Sequence, residues 1–198
     1  VNEYSKLNPL SEYSKSKVKG EKIVLKERNK DFIVNCLRMG TLYGPSPRMR
    51  FDLALNVMVG SAIQKSEIII NGGDQWRPFL HVDDAAEAFV KFLENKNKKL
   101  NGKIYNVGLN SENFQIKDLA FIVKKYIPQS KIKYTKNFDN RSYKANFDKI
   151  KKDLKWQPSK NIKDGALSII KLFKRGKIKN YKDDNYYNIK RLISYLSI

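Results

Sequence analysis

Acidic residues are what this chain is short of: 20 Asp and Glu stand against 40 Lys and Arg, a formal charge of +20 over 198 residues. Cysteine is reduced to Cys36, so no intrachain disulfide can form. Its place in an apolar run reads as a buried small hydrophobe in a reducing compartment. Histidine is reduced to His81, and with so few candidate ligands no metal site is expected. No apolar run approaches the roughly 20 residues needed to span a bilayer, and no secretory leader opens the chain. The expectation is a cytoplasmic location with no membrane partner.

What is present is a globular composition, 41% hydrophobic and 12% aromatic. The length suits one domain, or one domain with a small lobe. The positive charge has two readings. One is a polyanion binder that gains affinity by counterion release; the other is a lysine-coated solvated surface. The lysines are scattered along the whole chain, with no zinc-finger spacing, no RNP-like aromatic motif and no separate basic block. The solvated surface is preferred, and no nucleic-acid partner is expected.

Strand and helix patterns alternate along the chain. Ser11 with Glu12 opens a helix over about residues 10–29, and the apolar run Phe32–Leu37 reads as a buried strand. Two glycines and two prolines make residues 40–47 a loop at that strand's end. Residues 51–63 suit a helix, 67–70 a strand, 71–74 a turn, and 76–82 an extended segment. Asp83 or Asp84 is expected to cap the next helix, with Glu87 in capping-box position to Asp84. A strand over 103–107 and an amphipathic helix over 116–127 follow. Extended pieces near 131–135 and 142–147 precede helices near 147–154, 161–174 and 186–196. This order predicts an α/β fold with a parallel sheet, whose ligands sit beyond the carboxyl ends of the strands.

The chemistry centres on Tyr13 and Lys17. Four residues apart on a helix, they project from one face, and an ammonium held there favours the phenolate, which can then act as a general base towards an alcohol. The spacing alone is weak, because it recurs at Tyr186 and Lys190. The surroundings decide between the two. Arg38-Met-Gly-Thr-Leu-Tyr43-Gly44-Pro45 follows the first strand. Gly72-Gly73-Asp-Gln-Trp-Arg77-Pro-Phe-Leu-His81-Val82-Asp83-Asp84 leads into the third helix, and Tyr105-Asn106-Val107-Gly108 forms the next strand. Asp139-Asn-Arg141 and then Leu154-Lys-Trp156-Gln-Pro158 close the series.

In this order and spacing, residues 10–175 resemble the C-terminal portion of an extended short-chain dehydrogenase/reductase of the NAD-dependent nucleotide-sugar epimerase/dehydratase family. The resemblance selects Tyr13 over Tyr186. It implies a remaining part of a Rossmann-like, NAD-binding domain over 1–45 and 78–110, with a smaller α+β substrate lobe and tail over 46–77 and 111–198. It also implies NAD as cofactor, NADP being an alternative, and a nucleotide-diphosphate sugar as substrate. Tyr13 and Lys17 would be catalytic and would contact the nicotinamide end, beside which Tyr43 would pack. Arg77 and Arg141 would hold the diphosphate, since a guanidinium matches phosphate geometry. Arg48, Arg50 and Asn56 would reach the sugar, with a structural turn as the competing reading for the loop 46–50. His81 is read as a hydrogen-bonded structural histidine. A homodimer through the Tyr13 helix is a further implication.

The family's opening strand, Gly-x-x-Gly-x-x-Gly turn and helix have no counterpart here, so the expectation is a truncated or split second half. Three functions follow: an epimerase/dehydratase active once completed, an inactive remnant that binds the nucleotide-sugar only, or a basic polyanion binder. The sugar, the nucleotide and the choice between isomerase and lyase stay open.

Overall fold

The computed structural model describes residues 1–135 and 141–196. Helix α1 (Glu12–Lys26) starts at Ser11, whose hydroxyl accepts from the Ser14 amide while Ser14 returns a bond to the Ser11 backbone. Strands β1 (Cys36–Met39) and β2 (Thr41–Tyr43) follow, then α2 (Ala54–Lys65), β3 (Glu67–Asn71), β4 (Trp76–His81) and α3 (Val82–Glu94). The rest is β5 (Ile104–Val107), β6 (Asn113–Gln115), α4 (Ile116–Tyr126), β7 (Lys131–Thr135), α5 (Asp148–Leu154), α6 (Ile162–Lys174) and α7 (Asn188–Leu196).

Strand pairing is parallel in β1–β5, β2–β4 and β3–β7, and antiparallel only between β4 and β6 among the described residues. The fold is therefore the expected α/β one. Its first two strands are nearly continuous in sequence but take different neighbours. Gly40 is the point of change: its amide still bonds the Val107 carbonyl at 3.0 Å, while the next residue is already in register with Phe79. A side chain at Gly40 would press on the β4 backbone, 3.3 Å from the Pro78 oxygen.

Two apolar clusters carry the packing. The larger one gathers Phe51, Leu55, Val59, Ile68, Ile70, Leu119, Val123 and Ile169, where α2 and α4 close over β3 and α6 packs on both helices. The smaller one gathers Leu80, Ala88, Tyr105, Val107, Phe147 and Ile150 under α3 and α5. Three buried carboxylates, Glu3, Asp84 and Glu112, join the elements, Glu3 by accepting from the Asn106 amide. Asp84 accepts from the backbone amides of Ser159 and Lys160, and Glu112 accepts from the Ile162 amide at 2.8 Å. Such charges are tolerated inside because each has donors aimed at it.

Several expectations are corrected. The strand read over 32–37 begins only at Cys36, and Phe32 and Ile33 are about half exposed (52% and 51%). Apolar composition drew the assignment, but in this segment only Val34 is buried, its backbone bonded to Asn101 and Gly102. Cys36 is half-buried rather than fully buried, and burial pushes its thiol up. The loop 40–47 contains β2, residues 142–147 form no strand, and the short β6 was not foreseen. Neither Asp83 nor Asp84 caps α3. The cap is His81, whose Nδ1 accepts from the Asp83 amide at 3.1 Å; Asp84 is spent on α6's approach, and Glu87 accepts from the Trp156 indole. Among the described residues no helix is long and apolar enough to cross a membrane.

Candidate active site

Tyr13 and Lys17 lie one turn apart on α1, with the Lys17 ammonium 5.5 Å from the centre of the Tyr13 ring. Both are exposed, Tyr13 to 71%. Glu21 continues the same i, i+4 line along the helix. Its carboxylate takes a two-pronged grip from Arg38 on β1, with Nε and Nη2 at 2.8 and 2.6 Å. This fork is mostly buried (23% and 14% side-chain exposure), and bonding to Glu21 raises the arginine above its usual range. The third guanidinium nitrogen donates to the Glu3 carbonyl. One arginine thus ties the line bearing Tyr13 and Lys17 to the sheet. In sequence Arg38 is a motif residue with no task attached; Glu21, four residues beyond Lys17, is the local signal for it.

At the carboxyl end of β2 the chain turns at Gly44, φ +107°, a conformation that glycine adopts without strain. A Cβ there would stand 2.6 Å from His81 Nε2. Tyr43, just before it, is 1% exposed, packs edge-on against His81 and Phe79, and aims its hydroxyl at the Lys160 carbonyl. Burial pushes its phenol far up, so the ring is a neutral packing element. Asn56 is also buried. Its amide accepts from the Gly44 amide and donates to the Arg50 carbonyl, which clips both ends of the 44–50 loop. Arg50 forms a two-pronged pair with Asp52, and Arg48 donates to Asn188 at 2.8 Å.

Arg77 and Arg141, 64 residues apart, are brought together: Arg77 Nη1 donates to the Arg141 carbonyl as well as to that of Trp76. The guanidinium sits 5.8 Å from the centre of the Tyr143 ring, and the Lys144 ammonium lies 3.6 Å over Trp76. The result places the Arg77 guanidinium and the Lys144 ammonium beside the start of β4, with the Arg141 backbone against Arg77. Lys144 was not foreseen, since nothing in a lysine-rich stretch marks one lysine. The Asp139 and Asn140 of the tail motif lie outside the described residues.

Residues 1–108, more than half of the chain, match the profile of the NAD dependent epimerase/dehydratase family. The chain belongs to that family. A putative UDP-glucose 4-epimerase of Methanocaldococcus jannaschii is 29% identical over 180 residues, covering 88% of this chain and 57% of that protein. UDP-glucuronic acid decarboxylase 1 of Arabidopsis thaliana is 27% identical over 179 residues, 86% of this chain and 40% of its own length. Among solved structures, the UDP-glucuronic acid 4-epimerase of Bacillus cereus, in complex with UDP-glucuronic acid and NAD, superposes with a TM-score of 0.77 at 26% identity. It is covered over 56% of its chain, and this chain over 88%. The chain spans about half the length of such relatives. In this epimerase/dehydratase family member, the Tyr13–Lys17 pair is open to solvent.

Proposed function

We propose that this chain is the catalytic-tyrosine and substrate-lobe portion of an NAD-dependent nucleotide-sugar epimerase/dehydratase, a cytoplasmic isomerase or lyase completed by a glycine-rich dinucleotide-binding half. Segments 1–45 and 78–110 belong to the dinucleotide-binding domain, and 46–77 with 111–198 to the substrate lobe. The observation that carries this reading is the exposed Tyr13–Lys17 pair on a helix clamped to β1 by Arg38.

Tyr13 serves as the base: its phenolate takes the proton from a sugar hydroxyl as the carbon loses hydride. Lys17, one turn on, holds the nicotinamide ribose. NAD, when bound, supplies the hydride acceptor. Arg77 and Arg141 hold the diphosphate through charge-assisted hydrogen bonds, with Lys144 adding positive charge. Arg48 and Arg50 border the sugar from their loop. Tyr43 and Asn56 act one step back, as the packing and the clip that set that loop. UDP-sugars are the first substrates to try, given what the relatives act on. A homodimer through α1, whose Ile23 and Val24 are exposed, accompanies this reading.

The test is to join the chain to the dinucleotide-binding half of the Bacillus cereus enzyme and follow UDP-sugar conversion. Conversion is expected, with Tyr13→Phe slower by about 10²- to 10⁴-fold and unchanged in UDP affinity. Arg77→Ala should instead weaken UDP binding by about tenfold or more. UDP-sugar binding without turnover in the joined protein would leave a binding remnant; loss of both would remove the reading.

A further inference from the structure

The C-terminal helix α7, like α1, buries no residue, and among the described residues its apolar face is the more exposed of the two. Its one extensive contact is with the turn just before it. Ile189, Leu192 and Leu196, at i, i+3 and i+7, form one stripe, and they are 75%, 58% and 75% exposed. The opposite side carries Ser194, with Lys190 on one flank and Arg191 on the other.

Cations border the stripe on both sides. Lys190 pairs with Asp184 at 2.8 Å and also faces Lys182, which is itself crowded against Lys65. On the other flank, Arg191 lies over the Tyr195 ring and donates to its hydroxyl, and Arg48 adds its charge to the same phenol. Over residues 171–196 eight lysines and arginines stand against two aspartates. An apolar stripe edged by an aromatic and by cations on both flanks is the pattern of a helix lying in a membrane interface, its apolar side among the acyl chains and its cations at the headgroups.

We propose that α7 is a surface anchor that docks this protein on an anionic lipid bilayer. A surface helix needs no spanning segment, so the lack of a long apolar run does not bear on it. The charge selects the occupant: an anionic bilayer offers apolar depth and negative charge together, and each lysine or arginine near it strengthens binding roughly fivefold. Because Asn188, the first residue of α7, holds Arg48, the docked helix starts at the lip of the loop proposed for the sugar.

The experiment is co-sedimentation of the 198-residue chain with vesicles of phosphatidylcholine alone or containing phosphatidylglycerol. Binding is expected only with phosphatidylglycerol, falling at high salt. It should drop at least tenfold in the double variant Ile189→Glu/Leu192→Glu, whose circular dichroism and melting should match the parent. Equal binding to both vesicle types, undiminished binding of the variant, or absence of binding would overturn the proposal. So would a dimer of the parent that the variant abolishes without lipid, since the stripe would then be a self-interface.

Discussion

Arg38 holds Glu21 through two hydrogen bonds, and this one pair decides how α1 is presented, because among the described residues no side chain of α1 is buried. Helical stability normally comes from an apolar face packed against a core. Here α1 has only the half-buried Val18 and Leu25 on that face, and a mostly buried fork adds to them, on the same side of the helix as Tyr13 and Lys17.

Arg38→Ala should therefore lower stability by about 1.5–3 kcal/mol, the range for hydrogen bonds to charged groups. Arg38→Lys should recover only part of it, because an ammonium cannot reproduce the fork. Urea denaturation of the three proteins checks this. Equal midpoints would show that α1 is held by something else.

His81 sets a pH dependence. Its Nδ1 accepts from the Asp83 amide, so the proton sits on Nε2, which is buried opposite Gly44 without a hydrogen-bond partner among the described residues. Burial lowers the folded pKa, with Asp83 and Asp84 opposing and Lys160 assisting. In the window below the unfolded value of about 6.5, the unfolded chain binds a proton that the folded one resists. Stability is then full at neutral pH and declines as pH falls through that window. Protonation would also set a donor against the Asp83 amide and break the cap. His81→Asn keeps an acceptor for the cap and removes the titration, so its melting temperature should vary less between pH 7 and pH 5. An unchanged slope would assign the effect to other groups.

Gly165, on the first turn of α6, lies against the Tyr43 ring so closely that a methyl group would overlap it. Overpacking of this kind costs about 1–3 kcal/mol. Gly165→Ala should melt lower, and Tyr43→Leu in the same chain should restore part of the loss. Two additive losses would show that the contact is not the cause.

How much of this was legible beforehand follows from the range of the interactions concerned. Periodicity and turn chemistry are local, so α2, α4, α6, β3 and β5 fall close to where the sequence places them. Tyr13 and Lys17 share a face because helix geometry alone requires it. His81 illustrates the limit. Its structural role was legible, but its capping of α3 was not, because the aspartates after it satisfy the usual cap preference equally well, and the demand on Asp84 comes from Ser159 and Lys160, 75 and 76 residues away. Arg38 with Glu21, Arg77 with Arg141 and Asn56 with the 44–50 loop are likewise matters of tertiary structure, because no local pattern encodes which distant donor meets which acceptor. The amino-acid sequence by itself determined the fold class, the family and the tyrosine–lysine pair, all of which rest on spacing along the chain. Which polar groups are consumed inside and which face outward was decided by the folded chain, since burial exists only once the elements pack.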